Sequence, residues 1–446
     1  MNIALVIPDF LSGTSFLQQP IDFLYCATNL ENNGYNVSVI DCRVNHLSVL
    51  NTINKLKNFD LIFVTTTPGD QVQNYFLDYR YAYAIYTINQ IKNNLPEIPL
   101  VVCGAHASIR PDLVLKEAKC DILLKGEIFQ SACTIAHAVK NHLDLSKIPN
   151  IVYRDADCFI TTQTDLSIFH PVIPDDLFPA YNKINMNAYF GDHYENNIPV
   201  RKRNRVVIQG GRGCPFSCTF CHNFFGKNIK RRSVEAIIQE MNICQKTYGM
   251  SDIFFLDEVF TLDRKWVFSL CENILKSGLK YDITAQTRVD CLDKEMLSIM
   301  SKAGFKNLWI GVESANDYIL NINKKGTQIE SINKSIELIR SSNIEPYAFF
   351  MLGMPGETID TLNQTLRQIY DYKTPYTRSI MICTPRYGTE YYDLALKQYP
   401  NLGEHWFNLN AVKGLVANEM TPQLLLKAKN VLKNRDFIYQ SNCPQL

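Results

Sequence analysis

The chain has 446 residues, of which 45 are basic and 44 acidic, so its formal net charge at pH 7 is only +1. That balance gives no electrostatic footprint for nucleic acid and no polybasic anchor for a membrane surface. The length allows two or three domains, no stretch approaches about 18 uninterrupted apolar residues, and the opening MNIALVIPDFL lacks the basic start of a signal peptide. We therefore expect a cytoplasmic protein that acts on small molecules.

The first third of the chain alternates strand and helix signals. Five short apolar runs, each followed by a loop or a helical pattern, are NIALVIP, NVSVIDC, DLIFVTT, PLVVCGAH and CDILLKGE. This alternation is typical of an open Rossmann-like sheet, which binds its ligand at the carboxyl ends of the strands. We assign this α/β domain to residues 1–144. No GxGxxG follows the first strand, which argues against a nicotinamide nucleotide.

The rest of the chain contains a connector, a second alternating region and a tail. Residues 145–199 are rich in Pro, Asn and Asp and are expected to join two domains. Six strand candidates then alternate with helices: RVVIQGGRG, DIFFLDEVF, YDITAQTRVD, NLWIGVES, EPYAFFMLGMPGE and RSIMICTPRYG. They predict a partial (β/α)6 barrel of the TIM type over residues 200–390, with working residues at the carboxyl ends of the strands. Residues 391–446 are expected to form a mixed or helical cap.

One cysteine cluster stands out among the fourteen cysteines of the chain. The segment GCPFSCTFC places Cys214, Cys218 and Cys221 within eight residues, directly before His222. A structural zinc site needs four ligands, and here the fourth would be His222 or the distant Cys244. An iron-sulfur cluster held by three thiolates instead leaves one iron open to a substrate or cofactor. The position favours the iron-sulfur site, because the loop follows the first strand of the predicted barrel.

The cysteine segment resembles the CxxxCxxC signature of radical S-adenosylmethionine (radical SAM) enzymes, including the aromatic Phe220 before the third cysteine. The resemblance extends over roughly residues 200–390. It implies a 4Fe-4S cluster on the three cysteines, S-adenosylmethionine chelated to the open iron, and an external electron donor of the flavodoxin or ferredoxin type. An electron from the cluster would cleave the sulfonium to a 5′-deoxyadenosyl radical.

Further barrel segments resemble the cofactor-binding segments of that family. FFLDEVF matches the second strand, TAQTRVD the third, GVES the fourth and MLGMPGET the glycine-rich fifth. The residues that the resemblance implies as cofactor contacts are Asp257, Glu258, Gln286, Arg288, Glu313, Ser314, Gly353 and Pro355. In TPRYGTEYY, Tyr387 replaces the proline of a TPxPGT pattern, which leaves the contacts there open. No catalytic side chain is assigned.

A Rossmann-like domain followed by this barrel looks like the cobalamin-binding class of radical SAM enzymes. VCGAHASIRPD resembles a GGxHxT loop of that class, and LKGE resembles its xxGE loop. The cobalamin contacts so implied are Thr65, Thr66, Thr67, Gly104, His106, Gly126 and Glu127. The DxHxxG stretch that supplies a histidine to cobalt is missing, so no histidine ligand on cobalt is expected. The alternative is a degenerate domain that binds nothing.

The leading hypothesis is a cobalamin-dependent radical methyltransferase that methylates an unactivated carbon of a small natural-product intermediate. A cyclisation, ring contraction or rearrangement with the same cofactors is the alternative. An RNA-modifying methylthiotransferase would need a further cysteine trio and a basic tail, and neither is present in the sequence. A non-catalytic binding protein stabilised by zinc would contain no iron and would not turn over S-adenosylmethionine.

Overall fold

The chain forms two compact units, which we describe separately. The structure is a computed structural model that describes residues 1–9, 17–44, 46–66, 78–156, 158–169, 172–189, 191–195, 198–372, 378–398, 400 and 424–426. The first unit consists of Met1–Asp192 with Lys202–Val207, and the second of His193–Arg201 with Ile208–Leu446.

A seven-stranded sheet organises the first unit. Its strands are β1 (Asn2–Ile7), β2 (Asn36–Asp41), β3 (Leu61–Thr65), β4 (Leu100–Cys103), β5 (Ile122–Leu124), β6 (Ile151–Asp155) and β7 (Cys158–Thr161). The spatial order is β2-β1-β3-β4-β5-β6-β7. The strands from β2 to β5 are parallel, whereas β6 and β7 add to the edge in antiparallel pairings. Strands β3, β4 and β5 are buried throughout, which explains their uninterrupted apolar sequences.

Helices connect the strands of the first unit. They are α1 (Ile21–Asn32), α2 (Val49–Leu56), α3 (Asp78–Asn94), α4 (Ala105–Ile109), α5 (Pro111–Glu117), α6 (Ile128–Lys140) and α7 (Leu166–Phe169), with 3-10 turns at Leu145–Lys147, Tyr181–Lys183 and Met186–Tyr189. Because β1 lies between β2 and β3, the chain reverses its direction across the sheet at β1. Open α/β sheets bind ligands at such a switch point, outside the carboxyl ends of the strands.

The Rossmann-like prediction for this unit is confirmed, and the sheet is larger than the sequence indicated. Strands β6 and β7 come from the segment that we had assigned to the connector. The first two residues of β6, Ile151 and Val152, are buried where β6 pairs with β5, whereas β7 is exposed along its length. A short antiparallel edge of this kind has no helical crossover, so the strand-helix alternation that reveals parallel strands is absent there.

The remaining strands form a six-stranded sheet and two small hairpins, and most of their residues belong to the second unit. These strands are β8 (Gly191–Glu195), β9 (Ile198–Arg203), β10 (Arg205–Ile208), β11 (Gly211–Arg212), β12 (Lys230–Arg231), β13 (Asp252–Phe255), β14 (Asp282–Thr287), β15 (Phe305–Glu313), β16 (Glu345–Leu352) and β17 (Arg378–Ile382). The large sheet has the order β10-β13-β14-β15-β16-β17, with parallel pairing from β13 to β17. The prediction of a partial β/α barrel is thereby confirmed.

Helices return the chain between these strands. They are α8 (Val234–Tyr248), α9 (Arg264–Ser277), α10 (Lys294–Ala303), α11 (Asp317–Ile322), α12 (Ile329–Ser341), α13 (Ile359–Asp371) and α14 (Glu390–Gln398), with 3-10 turns at Phe260–Leu262 and Val289–Cys291. Side-chain caps start α8, α9, α10, α11 and α13 at Ser233, Asp263, Asp293, Asn316 and Thr358. Such caps satisfy backbone N–H groups that the helix leaves unpaired. Most of residues 391–446, which the sequence predicts to form a mixed or helical cap, lie outside the described residues.

The two faces of the barrel sheet differ in burial. Leu308 and Ile310 of β15 are fully buried, whereas the intervening Trp309 is only half-buried. Its indole packs 4.6 Å from the ring of Phe254 and 5.5 Å from that of Tyr347, measured between centroids. Because side chains alternate along a strand, these aromatic rings share one face of the sheet, opposite the buried aliphatic face.

Candidate active site

The predicted site residues of the second unit lie along one edge of its sheet. The three cysteines follow β10 and β11, Asp257 and Glu258 follow β13, and Gln286 and Arg288 lie at the end of β14. Glu313 is the last residue of β15, with Ser314 beside it, and Gly353 and Pro355 follow β16. The carboxyl ends of parallel strands meet at one edge, so the structure brings these positions together.

The cysteine loop, residues 213–226, is held by its own backbone. Gly213 has a φ of +97°, and a Cβ there would overlap the backbone oxygen of Asn228. The N–H of Cys214 donates to the oxygen of Gly226 at 3.0 Å, and the Nδ2 of Asn223 donates to the oxygen of Cys214 at 2.6 Å. These bonds close the loop on itself and present its three thiols from one short segment.

The three thiols form a soft donor set. Cys214 and Cys218 are half-buried. Burial raises the pKa of the Cys214 thiol, and the nearby Cys218 raises it further. The residue Cys221 is exposed overall, but its thiol group is buried. This burial raises the pKa of the thiol to about 12, and the neighbouring Cys218 and Cys214 act in the same direction. Among the described residues no three His, Cys, Asp or Glu side chains converge closely enough to hold a metal ion.

The donor chemistry fits iron and sulfide better than zinc. Thiolates are the ligands of iron-sulfur clusters, and all three predicted ligands are thiols of one loop. Of the two candidate fourth ligands for zinc, Cys244 is fully buried within α8. His222 packs beside Phe224, with 6.2 Å between ring centroids, and burial lowers its pKa to about 4.

Cationic side chains surround the loop. The guanidinium of Arg288 lies 3.6 Å from the ring centroid of Phe216, and its Nη1 lies 3.9 Å from the sulfur of Cys218. The Nζ of Lys325 pairs with Glu313 at 2.9 Å, and both side chains are at least nine-tenths buried. Arg386 and Lys325 both act to lower the pKa of Cys221 against the effect of burial. Negative charge on the thiolates would therefore be partly balanced.

Asp257 and Glu258 have different surroundings. Asp257 is buried, accepts the N–H of Gly210 at 2.8 Å, and forms an ion pair with Arg231. Burial raises the pKa of Asp257, and Arg231 opposes that shift. Glu258 is half-buried and accepts the N–H of Gly213 at 3.1 Å. Burial raises its pKa to about 7. Asp257 is thus committed to protein partners, and Glu258 is the better candidate to receive a cofactor amino group.

The glycine-rich segment after β16 is closed by a buried acid. Glu357 is fully buried and accepts the backbone N–H of Gly353, while its Oε1 has no hydrogen-bond partner among the described residues. Burial raises the pKa of Glu357 to about 7. Gly356 has a φ of +80°, a backbone conformation that residues with a Cβ rarely adopt, so the turn favours glycine there. The turn thereby presents backbone groups, with few side chains, at the sheet edge.

Ser314 differs from the other predicted contacts. Its hydroxyl lies 3.3 Å from that of Thr365 in α13 and accepts the N–H of Asn316 at 3.3 Å. The side chain is fully buried. The structure therefore places this hydroxyl between β15 and α13 rather than beside the thiols.

The loop between α11 and α12, residues 323–326, was missed at the sequence level. Asn323 is fully buried and accepts both the N–H and the hydroxyl of Thr219, at 3.1 and 2.9 Å, while its Nδ2 donates to the oxygen of Pro355 at 3.0 Å. It thus ties the cysteine loop to the glycine-rich segment. In the sequence, NKKG has the composition of a solvated turn, and no local signal indicates that Asn323 and Lys325 are buried.

In the first unit, two glycine loops lie at the carboxyl ends of neighbouring strands. Gly104 follows β4 with a φ of +106°, and Gly126 follows β5 with a φ of +83°. Ser108 joins them, because its hydroxyl donates to the oxygen of Gly104 at 2.9 Å and accepts the N–H of Gly126 at 2.8 Å. Ser108 is not among the residues that the sequence motifs indicate. Two glycines held side by side let a bulky ligand approach the backbone closely.

The other residues of the first unit that were predicted to contact cobalamin are mostly buried. Thr65 ends β3 and is buried, and the hydroxyl of Thr66 donates to the oxygen of Cys103 at 3.0 Å. His106 is buried, with its ring centroid 4.8 Å from that of Tyr81. Glu127 is buried just before α6, and Thr67 lies outside the described residues.

An acidic residue at the switch point was also missed. Asp9 follows β1 and is 6% exposed. Its Oδ1 has no hydrogen-bond partner among the described residues, while its Oδ2 lies 3.2 Å from Nδ1 of His46. An unpartnered buried oxygen at the carboxyl edge of the sheet fits a site that receives a polar ligand.

Two family models match the chain along these same regions. Residues 208–369 match the Radical SAM superfamily, and residues 14–131 match the B12 binding domain. The chain therefore contains a region that matches the Radical SAM superfamily and, before it, a region that matches the B12 binding domain. None of the described helices is long and apolar enough to cross a membrane.

Named relatives include a methyltransferase and a cyclase. The chain is 25% identical to an uncharacterized methyltransferase of Pyrococcus horikoshii over 445 residues, which cover 96% of this chain and 91% of that protein. It is 26% identical to the anaerobic magnesium-protoporphyrin IX monomethyl ester cyclase of Cereibacter sphaeroides, over 84% of this chain and 60% of the cyclase.

A solved structure shares the fold. The radical S-adenosylmethionine methyltransferase TsrM of Kitasatospora setae, solved with tryptophan substrate and an S-adenosylmethionine analog, matches with a TM-score of 0.69 and 16% identity, over 89% of this chain and 76% of TsrM. The same methyltransferase has also been solved with cobalamin and a 4Fe-4S cluster bound.

Proposed function

We propose that the protein is a cobalamin-dependent radical methyltransferase that methylates an unactivated carbon of a small natural-product intermediate. The observation that carries this proposal is the cysteine loop, with three thiols and a cationic surround at the carboxyl edge of a parallel barrel sheet. The Pyrococcus horikoshii methyltransferase, which matches this chain along most of both lengths, supports methyl transfer.

The proposed cofactors are a 4Fe-4S cluster on Cys214, Cys218 and Cys221, S-adenosylmethionine, and cobalamin. When bound, the cluster supplies the electron that cleaves S-adenosylmethionine to a 5′-deoxyadenosyl radical, and cobalamin supplies the methyl group. The electron would come from an external donor of the flavodoxin or ferredoxin type.

The chain's own residues would bind and orient the cofactors and the substrate. Glu258, half-buried after β13, can accept hydrogen bonds from an amino group. Lys325 holds the carboxylate of Glu313 at the end of β15, and the turn at Gly353 offers backbone to a planar base. The half-buried aromatic face around Trp309 supports a small substrate with apolar surface and excludes water from it. Gln286 lies in register with Trp309 on the neighbouring strand.

For cobalamin we propose contacts from the strand ends and glycine loops of the first unit, and no histidine on cobalt. His106 is packed against Tyr81 in the interior, and the exposed ring of His46 pairs with Asp9. The electron paramagnetic resonance spectrum of bound cob(II)alamin tests this point. Because the benzimidazole of cobalamin is itself a nitrogen donor, the informative comparison is between variants, and we expect the spectrum to be unchanged in His46→Ala. A splitting that disappears in His46→Ala would assign the axial ligand to His46 instead.

A second candidate reaction is a radical cyclisation or rearrangement with the same cofactors. The relative that favours it is the Cereibacter sphaeroides cyclase, of which this chain spans 60%. The two reactions differ in their products, because a methyltransferase converts a second S-adenosylmethionine to S-adenosylhomocysteine, whereas a rearrangement does not.

Anaerobic reconstitution with iron, sulfide and hydroxocobalamin tests the proposal. After gel filtration, we expect about four iron and one cobalt per chain. Iron without cobalt would refute the role of cobalamin, and zinc without iron would refute the radical reaction. With both cofactors in place, formation of S-adenosylhomocysteine together with 5′-deoxyadenosine identifies methyl transfer.

A further inference from the structure

Protein groups occupy most of the hydrogen-bond donors of the Arg288 guanidinium. Its Nε and Nη2 donate to the two carboxylate oxygens of Asp290, at 2.9 and 2.7 Å, and Nη2 also donates to the backbone oxygen of Lys325 at 2.7 Å. One face of the group covers the ring of Phe216 at 3.6 Å, and Nη1 points to the sulfur of Cys218 at 3.9 Å. The side chain is only 7% exposed.

These contacts connect two loops. Phe216 and Cys218 belong to the cysteine loop, whereas Lys325 belongs to the loop between α11 and α12. The second loop also holds Thr219 through Asn323. The cysteine loop is therefore attached to the same support at two neighbouring points, one of them through Arg288. A planar fork with a stacked face suits this bridging geometry, and lysine cannot reproduce it.

We propose that Arg288 is a positioning residue that holds the cysteine loop and donates to Cys218, rather than a contact for S-adenosylmethionine. This inference rests on the proposed function in one respect, since it concerns the loop that would carry the cluster. A cofactor carboxylate would find Nε and Nη2 already paired with Asp290 and the Lys325 carbonyl, so it could form a two-point contact with that edge of the guanidinium only by displacing them. An N–H donor and a positive charge beside a thiolate stabilise the more negative, reduced state of a cluster.

The test compares Arg288→Gln and Arg288→Lys with a matched control, Arg264→Gln. Arg264 also pairs with carboxylates, Asp293 and Glu295, and its guanidinium covers the ring of Phe268 at 4.1 Å. Arg264 is the first residue of α9, and none of these contacts involves the cysteine loop. The control therefore removes the same kind of side chain and the same kinds of contact without touching the loop.

The first readout is backbone hydrogen exchange of the protein without cofactors. We expect peptides covering residues 213–226 to exchange about tenfold faster or more in both Arg288 variants, because a charge-assisted hydrogen bond and a stacked contact are lost. Peptides from α10 should exchange as in the unmodified protein, which shows that the barrel remains folded. Unchanged exchange in the cysteine loop would overturn the proposal, whatever metal the protein binds.

The second readout uses reconstituted protein. We expect the midpoint potential of the cluster, measured without S-adenosylmethionine, to become more negative in Arg288→Gln and less so in Arg288→Lys. The Kd for S-adenosylmethionine should change by less than about threefold. An unchanged potential with a Kd raised more than about tenfold would instead make Arg288 a cofactor contact. If the unmodified protein takes up no iron, the proposed function fails, while the exchange experiment still decides the role of Arg288.

Discussion

Replacing Gly213 with alanine should abolish iron binding, because the residue before Cys214 has no room for a side chain. Its φ of +97° is unfavourable for any residue with a Cβ, at a cost of about 1–2 kcal/mol. The added Cβ would also lie well under 3.0 Å from the backbone oxygen of Asn228, a distance that real Cβ atoms do not adopt. Since that oxygen belongs to the backbone, the cysteine loop itself must move. We expect a local destabilisation of about 3 kcal/mol or more in total.

Two further glycines separate the effect of the loop from that of backbone strain. Gly304 has a φ of +105°, and a Cβ there would overlap the backbone oxygen of Tyr281. It precedes β15 and therefore lies at the amino edge of the sheet, opposite the cysteines. Gly249 has a φ of +65°, and a Cβ there would meet no heavy atom of the described chain within 4 Å.

The assay is iron per chain after anaerobic reconstitution, together with the thermal unfolding midpoint. We expect Gly213→Ala to retain only background iron. Gly304→Ala should lose similar thermal stability and keep its iron, and Gly249→Ala should keep both nearly intact. Full iron binding by Gly213→Ala would refute the argument that this turn positions the thiols. Loss of iron from Gly304→Ala would show that general strain, and not the loop, controls binding.

Three shorter predictions follow from other parts of the molecule. Burial raises the pKa of Glu357 from its ordinary 4.5 to about 7. The contribution of the protonated Glu357 to the free energy of unfolding is therefore fully present below about pH 4.5. That contribution, on the order of 3 kcal/mol, is lost as the pH rises through about 7. Glu357→Gln should flatten that part of the pH dependence of thermal unfolding, and an identical profile for both proteins would contradict the assignment. Lys325→Met should cost about 3–5 kcal/mol by leaving Glu313 buried without its partner. The double variant with Glu313→Gln should recover at least half of the lost thermal stability, and strictly additive losses would exclude the coupling. Ser108→Ala should weaken hydroxocobalamin binding, titrated by absorbance, about tenfold, since Gly126 loses its hydrogen-bond acceptor. Iron content should stay unchanged in that variant, and a fall in iron would mean that the effect is not confined to the glycine loops.

The sequence alone determined the fold class and the close spacing of the three cysteines. Short apolar runs bounded by turn residues predicted the strands from β1 to β5 and the six strands of the barrel sheet, because buried parallel strands need continuous apolar sequence. The spacing of Cys214, Cys218 and Cys221 indicated a soft metal site, because ligands so close in sequence stay close in any fold. The sequence pattern also placed the remaining candidate residues at the ends of strands, where parallel sheets carry their functional side chains.

Only the tertiary structure decided which of these residues are engaged by the protein and what supports the cysteine loop. Thr219 and Asn323 are 104 residues apart, and the sequence around each of them indicates only a loop. Their buried hydrogen bond nevertheless ties the cysteine loop to the loop between α11 and α12. Arg288, which the sequence suggested as a cofactor contact, has its Nε and Nη2 donors paired with protein groups and one face of its guanidinium covered by Phe216. A hydrogen bond between distant residues leaves no local pattern, because it depends on how the strands are brought together and not on the propensity of either segment.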